Sequence, residues 1–284
     1  MAATTSTEWG YIVNKSMLAN LKWLKHVNSD LGVPVGKGAI TVQTVDSTAA
    51  AVADGTLVSN GTTTADVSLT VAAYRVGLTI EPHMLESNLL EPKNLEKIAQ
   101  NHAGALLKTF QDLVIQAIAT GTPGINETLP TGQSNFRTDG TDGEIAQNLR
   151  LMGSVVGQCV AAHGNLDPQD FAIVMDRRAW GNFVSLKSTA VMGPMTSDGG
   201  FNWSFMGIPV YSIASSSYGF GELSKYCAFV TNKQNLAFAW DAPYLHGGGL
   251  VPYGDSTHKI ITVVRAAYGV VEDDYMGSIT NSAS

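Results

Sequence analysis

Apolar residues recur every three or four positions through residues 8–30, a spacing that predicts an amphipathic helical segment. The apolar positions are Trp9, Ile12, Val13, Met17, Leu18, Leu21 and Leu24. Glycines and a proline between Gly32 and Gly38 end any helix there. Because few other apolar residues accompany this stretch, we predict an arm with too little around it to form a core of its own.

Residues 39–81 change to the alternating pattern of β-strands. Ile40 and Val42 alternate with polar residues in a first strand, and Val67 and Leu69 share one face of a second. The two strands predict a long ribbon. A lone two-stranded hairpin is marginally stable in water, so this ribbon should lie on its own body or on a neighbour.

Turn signals and a change of phase subdivide the ribbon. Asp54-Gly55 and Asn60-Gly61 are dipeptides typical of tight turns. The apolar residues stand at odd-numbered positions up to Ala73 and at even-numbered positions from Tyr74 onwards. Successive side chains of a strand point to opposite faces, so this shift predicts a β-bulge or a sharp twist at that point.

The clearest element is a helix over residues 92–120, where apolar residues form a continuous stripe. Pro92 suits the first helical turn and Gly121 the C-terminal cap. The helix would be roughly 42 Å long, whereas a typical helix has about 11–12 residues, so we interpret it as a structural strut. Gly104 within it predicts a close backbone contact or a slight bend.

The remaining chain mixes short helices and strands. A capping box of Thr141 and Glu144 begins a helix that runs to His163. Phe171–Met175 predicts a buried strand, after which Asp176 can cap a short helix. Further strands are predicted at Ile208–Ile213, Ala228–Thr231, Leu236–Trp240, Lys259–Tyr268 and Val270–Tyr275. The fold class is therefore α+β.

The low content of charged residues indicates that this chain is part of an assembly. Charged residues make up 14% of the 284 residues, whereas roughly 25% is usual for a soluble domain. A chain so poor in charge is expected to hide much of its surface against partners. Cys159 and Cys227 are too few for a disulfide framework, and we expect Cys159 to be a buried free thiol.

Charge and hydropathy limit the partners. The net charge is −7, so no broad basic field exists to attract nucleic acid. No apolar run reaches the roughly 18 residues of a membrane span, and Met1–Thr7 lacks the apolar core of a signal peptide. We therefore expect no membrane partner and no export from the compartment of synthesis.

No motif predicts an enzyme, and no catalytic, cofactor-binding or metal-binding residue is expected. The sequence contains no Walker loop, GxSxG, CxxC or HExxH motif. Glu272–Asp274 could bind a hard cation, but adjacent acids on a strand point to opposite faces, which favours a solvated or interface edge. His246 precedes Gly247–Gly249 and is the most site-like histidine, yet without an acid–base partner in the sequence a structural role is favoured.

The order of these elements, with several short motifs, resembles the Hong Kong 97-type capsid proteins of tailed phages. Val52–Gly55 looks like the extended loop of that family, and Ile80–Ser87 looks like the lead into its spine helix. Gly121–Ile125 is similar to the turn after the spine. Ala172–Trp180 and Met206–Val210 look like its strand-then-helix segment and a later strand. The resemblance covers nearly the whole chain.

This resemblance implies an N-terminal arm at about 1–38, an extended β-hairpin loop at 39–80, a peripheral domain at 81–143 and 255–284 with the spine helix, and an axial domain at 144–254. The arm and the loop would clasp neighbouring subunits, and the axial domain would meet its copies around fivefold and sixfold axes. Because the arm begins almost at the first residue, the resemblance leaves no room before it for a scaffolding stretch within the chain. A separate scaffolding protein, or none, is therefore implied.

The resemblance also implies a function. It is that of a major capsid protein, which self-assembles into pentamers and hexamers of an icosahedral shell around double-stranded DNA, without sequence-specific binding. Its partners would be its own copies, a portal protein at one vertex and separate scaffolding or decoration proteins. It would be assembled in the host bacterial cytoplasm and reside in the virion. Residues expected at subunit interfaces are Trp9, Ile12, Leu18, Asp54, Gly55, Asn60, Gly61, His246 and Gly248.

Two other hypotheses stay open. An encapsulin, a bacterial compartment that shares the fold, would enclose a cargo enzyme instead of DNA. A hydrolase or surface-binding module would use the Gly-rich residues 188–256, and it predicts a pocket with convergent polar groups and a strongly shifted pKa.

Overall fold

The computed structural model describes residues 6–21, 23–29, 31, 38–47, 62–80, 92–121, 123–133, 136, 142–162, 167–185, 192–197, 200–213, 226–253 and 257–282. The helices are α1 (Ser6–Ala19), α2 (Pro92–Gly121), α3 (Asp142–Ala162) and α4 (Arg177–Ser185), with 3-10 turns at Trp23–His26 and Pro168–Asp170. The strands are β1 (Ala39–Ser47), β2 (Thr62–Thr70), β3 (Ala72–Ile80), β4 (Ile125–Thr128), β5 (Phe171–Asp176), β6 (Met192–Ser197), β7 (Gly200–Phe205), β8 (Ile208–Ile213), β9 (Tyr226–Asn232), β10 (Leu236–Trp240), β11 (Tyr244–Tyr253), β12 (Thr257–Val270) and β13 (Gly277–Thr280). The predicted α+β class is confirmed.

A four-stranded antiparallel sheet is built around β12. This strand pairs with β3 along one edge, and with β11 and then β10 along the other. Helix α2 packs on one face of the sheet, where Phe110 contacts Tyr74 of β3 and Phe238 of β10 with ring centroids 5.1 Å apart in both pairs. The long helix predicted at 92–120 is confirmed, and its buried stripe forms the centre of the first core.

The surroundings of Gly104 differ from those that the sequence predicts. A Cβ atom built there would meet no atom within 4 Å among the described residues, and the residue is exposed. The expected close backbone contact is therefore wrong, because this face of α2 points away from the chain's own core.

A seven-stranded sheet has the order β4-β13-β9-β5-β8-β7-β6. Its central strand β5 is buried on both faces, as predicted for Phe171–Met175. Phe171, Ile173 and Met175 belong to a second core, which also contains side chains of α3 and α4. Ala172 and Val174 belong to the first core instead. Successive side chains of β5 thus point into different cores, and this strand separates them.

The two sheets join strands that are far apart in the chain, and the expected domain boundaries stay predictions. β10 and β11, expected with the axial domain at 144–254, pair with β12 in the four-stranded sheet. β4 and β13, expected with the peripheral domain, pair in the seven-stranded sheet. The strand predicted at Val270–Tyr275 is wrong, because β12 ends at Val270 and a turn follows before β13.

The predicted ribbon is present as the antiparallel pair β1–β2, which runs from Ala39 opposite Thr70 to Ser47 opposite Thr62. Its second strand breaks at Val71, where the chain changes partner from β1 to β12. The predicted irregularity between Ala73 and Tyr74 therefore lies slightly earlier, because the change of partner marks the break.

Candidate assembly surfaces

Helix α1 is buried in the chain's own first core. Trp9, Val13 and Met17 are at most 1% exposed and face α2 and β11. Gly10 allows the helix backbone to approach the Pro243 carbonyl, where a Cβ atom would collide. The prediction that this segment has too little around it to form a core is wrong, because its partners lie far away in the sequence.

Two indole N–H groups tie α1 to the four-stranded sheet. Trp9 Nε1 donates to Thr262 Oγ1 of β12 at 2.9 Å. Trp240 Nε1 of β10 donates in the opposite direction, to Asn14 Oδ1 of α1 at 3.0 Å. Nδ1 of His102 on α2 lies 2.8 Å from the same Thr262 oxygen. Burial lowers the pKa of this histidine. A buried hydroxyl thus joins α1, α2 and β12.

The 3-10 turn Trp23–His26 carries the same segment to the seven-stranded sheet. Trp23 and Leu24 are fully buried in the first core, which also contains Ala172 and Val174 of β5. His26 Nε2 lies 2.9 Å from the Tyr211 hydroxyl of β8. Residues 6–29 therefore contact both sheets, and we call them the strap.

Burial lowers the pKa of His26 from 6.5 to about 4. The positive charges of Lys25 and Lys233 act in the same direction, whereas Asp170 acts in the opposite one. At neutral pH the imidazole is therefore uncharged, which suits its place between the strap and β8.

The outer face of α1 remains accessible. Tyr11 is 66% and Leu18 55% exposed, and their seven-residue spacing places them on one side of the helix. A groove of about 600 Å³ borders the start of the helix and is lined by Thr7, Glu8, Trp9, Tyr11, Ile12, Lys93, Leu95 and Glu96. A second, of about 300 Å³, borders its end and is lined by Asn14, Leu18, Ser29, Leu31, Trp240, Asp241 and Ala242.

Among the described side chains of the ribbon, those at its base pack against the body. Ile40, Val42 and Leu69 are buried against a platform of small side chains. The platform consists of Ala237, Ala239 and Ala267, and Leu69 lies close to Gly269 beside them. Further out, Gln43, Ala65 and Asp66 are exposed. The small residues of β10 and β12 thus let the ribbon base lie close to the sheet.

The predicted interface residues differ in how exposed they are. Trp9 is buried within the chain, Ile12 is half-buried beside the first groove, and Leu18 is exposed. His246 is exposed on β11, which also contains Gly248. Asp54, Gly55, Asn60 and Gly61 lie outside the described residues. Their contacts with neighbours stay predictions.

Tyr11 and Tyr244 are two exposed aromatic residues that the sequence analysis did not select. Tyr11 lies outside the buried stripe of α1. Its position one residue before Ile12, off the three- and four-residue spacing that starts at Trp9, is the sequence signal that could have identified it as exposed. Tyr244 begins β11, and nothing in its sequence context indicates exposure.

The acidic run Glu272–Asp274 belongs to the turn after β12. The Asp273 carbonyl accepts hydrogen bonds from the Gly124 and Met276 amides, both at 3.0 Å. Among the described residues, no three His, Cys, Asp or Glu side chains come together as a group that could hold a metal ion. This arrangement favours a structural turn.

Both cysteines are buried and free, as predicted for Cys159, and burial raises the pKa of that thiol to about 12. Within the described ranges, no helix is long and apolar enough to cross a membrane.

No protein-family model matches the chain, and no curated protein matches its sequence. Its fold is similar to that of the capsid of the cyanophage P-SCSP1u, at TM-score 0.59 and 16% identity over 91% of this chain and 87% of that one. A structure from Gordonia phage Cozz matches at TM-score 0.56 and 16% identity over 100% and 89%. A virus-like particle from Pyrococcus furiosus matches at TM-score 0.59 and 10% identity over 96% and 97%. The chain therefore has the Hong Kong 97-type capsid fold.

Proposed function

We propose that this chain is a shell-forming subunit, the major capsid protein of a tailed phage. The observation that carries the proposal is the match of nearly the whole chain to phage capsid structures. The match spans 87% and 89% of those chains as well, so this chain shares most of their fold. The subunit would form pentamers and hexamers of an icosahedral shell around double-stranded DNA.

Two features of the chain support this proposal. Its low charge, 14% of residues, fits a surface that is largely covered by partners. Its ribbon extends beyond the platform that supports the base and would gain contacts in an assembly. Many weak contacts per subunit add up through multivalency, so each interface can be modest.

Further partners follow from the same proposal. A portal protein would occupy one vertex, and separate scaffolding or decoration proteins would act with the shell. The net charge of −7 suits DNA that is enclosed without sequence-specific binding. Assembly would take place in the host bacterial cytoplasm, and the final location would be the virion.

The test is the assembly state of the purified full-length chain. We expect sedimentation to find particles far larger than the 30.0 kDa subunit, and negative-stain electron microscopy to show closed shells, capsomers or tubes. A chain that stays strictly monomeric at high concentration, with and without co-expressed neighbouring genes, would contradict the proposal.

An encapsulin-type compartment is the second candidate, favoured by the similarity to the virus-like particle from Pyrococcus furiosus over 97% of that chain. The two candidates differ in what the shell encloses. Particles isolated from the native source would contain double-stranded DNA in the first case and a cargo enzyme in the second. Neighbouring genes for a portal or terminase would favour the phage, and a peroxidase or ferritin-like gene would favour the compartment.

A further inference from the structure

Helix α2 has a side directed away from the first core, which we call its outer face. Lys93, Lys97, Gly104 and Lys108 are all exposed there. They lie four, seven and four positions apart, and such spacings return to the same side of a helix. The four residues therefore form one row, which is about 22 Å long at about 1.5 Å per residue.

The row is positively charged, whereas the whole chain carries a net charge of −7. The three lysines of α2 all belong to it. Within the part of the chain that the structure describes, the side chains of these lysines form no ion pair. Of the two acids of α2, Glu96 accepts a hydrogen bond from Gln100 Nε2 at 3.4 Å, and Asp112 is buried. The row should therefore attract an acidic partner.

The side chains of the outer face favour a phosphate backbone over a protein surface as that partner. No large apolar side chain of residues 93–121 is exposed, whereas the centre of a protein–protein contact is enriched in aromatic residues and depleted in lysine. Lysine binds phosphate as a point charge. Asn101, exposed between Lys97 and Lys108, adds an amide that can donate to a phosphate oxygen.

Gly104 makes the helix surface low in the middle of the row. Glycine weakens a helix relative to alanine, yet no described atom lies within 4 Å of a Cβ atom built at Gly104, so packing within the chain does not explain it. The neighbouring Ala105 is small and exposed as well. A rigid cylinder such as duplex DNA can therefore approach the helix backbone here, while Lys97 and Lys108 reach its phosphates from either side.

We propose that the outer face of α2 binds the phosphate backbone of enclosed duplex DNA through Lys93, Lys97 and Lys108. This inference rests on the proposed shell function and adds that α2 faces the interior of the shell, with the four-stranded sheet on the side away from the DNA. Contacts to the backbone alone carry no sequence information. Three contacts per subunit are weak, but they add up because many subunits act on one DNA molecule.

The first test measures the binding of a short fluorescein-labelled DNA duplex to the unassembled subunit at several salt concentrations. Each neutralised phosphate contributes about 0.9 to the slope of log affinity against log salt concentration. The double variant Lys97→Gln/Lys108→Gln should therefore make this slope less steep by about 1.8.

The double variant Arg150→Gln/Arg177→Gln is the matched control for this titration. It removes the same charge at exposed positions outside α2, so its slope should equal that of the wild type. Circular dichroism of the unassembled subunits establishes that both double variants fold.

The second test asks which side of the shell the outer face occupies. Asn101→Cys places a thiol within the row, and the wild-type chain is the control because Cys159 and Cys227 are buried. A small maleimide should label Asn101→Cys in the unassembled subunit and in closed shells. A maleimide carried by a large polyethylene glycol should label the subunit but not the closed shell, which keeps it outside.

The outcomes separate this inference from the proposed function. Wild-type chain that forms no shell overturns the proposed function. Wild-type shells together with equal salt slopes for the two double variants overturn this inference alone. Labelling of closed shells by the large reagent would put the outer face of α2 on the outside, and labelling by neither reagent would put it in a contact between subunits. Either of these results also overturns the inference.

Discussion

The strap and the ribbon are both peripheral segments that the sequence predicts to depend on neighbours, yet the structure treats them differently. The strap buries Trp9, Trp23 and their apolar companions in the chain's own core. The described part of the ribbon buries side chains at its base. The difference follows from what each segment can bury: the strap carries large apolar side chains at helical spacing, whereas the outer ribbon is mostly Thr, Ser and Ala. A segment with few large apolar groups must find its stabilisation elsewhere.

The largest effect is expected for Trp9→Ala in the strap. Removing a fully buried indole, together with its hydrogen bond to Thr262, should lower the free energy of unfolding of the subunit by about 3–5 kcal/mol. Urea denaturation followed by fluorescence measures it. Tyr11→Ala, on the exposed face of the same helix, is the control and should stay within about 0.5 kcal/mol. Equal losses for the two variants would mean that the strap is not part of the core.

A smaller effect is expected from acid at His26. The folded chain protonates His26 only near pH 4, whereas the unfolded chain does so near 6.5. Stability from this group is therefore complete above pH 6.5 and falls by about 3 kcal/mol as the pH approaches 4.

Urea midpoints measured between pH 7 and 4 on the wild-type chain and on His26→Gln check this expectation. Glutamine cannot titrate but can still hydrogen-bond to Tyr211, so the variant should lose less stability on acidification. Burial lowers the pKa of His102 too, so a residual slope in the same direction should remain. Parallel curves for the two proteins would contradict the role of His26.

The smallest effect on folding is expected from the ribbon. Deleting residues 49–61 should leave the unfolding free energy of the subunit nearly unchanged, because Ile40, Val42 and Leu69, the buried side chains in the described part of the ribbon, all lie outside the deletion. The same deletion should prevent closed shells. Electron microscopy decides the second point, and shells of normal size would show that this loop is not needed for closure.

Much of the fold follows from local pattern. The periodic stripe predicts α2, and the short apolar run of Phe171–Met175 predicts a buried strand. The place of the strap does not follow, because Trp9 bonds to Thr262, 253 residues away, and no local signal indicates that pairing.

The candidate interfaces are less predictable. The antiparallel pairing of the ribbon fits its alternating sequence pattern, whereas Leu18, which the pattern places in the apolar stripe of α1, is exposed. The surface shared by β3 and β12 does not follow from the sequence, because Arg75 and Arg265 come onto one face of the sheet only through the pairing of these two strands. Non-local pairing of this kind leaves no periodic trace in the sequence.

The most direct test of the account is amide hydrogen exchange, compared between the unassembled subunit and the assembled shell. The account expects the amides of α1 to be protected equally in both states, because the chain's own core holds the strap. The ribbon amides of Gln43–Ser47 and Thr62–Asp66 should gain protection only in the shell. Protection of α1 that appears only on assembly, or ribbon protection that is the same in both states, would contradict it.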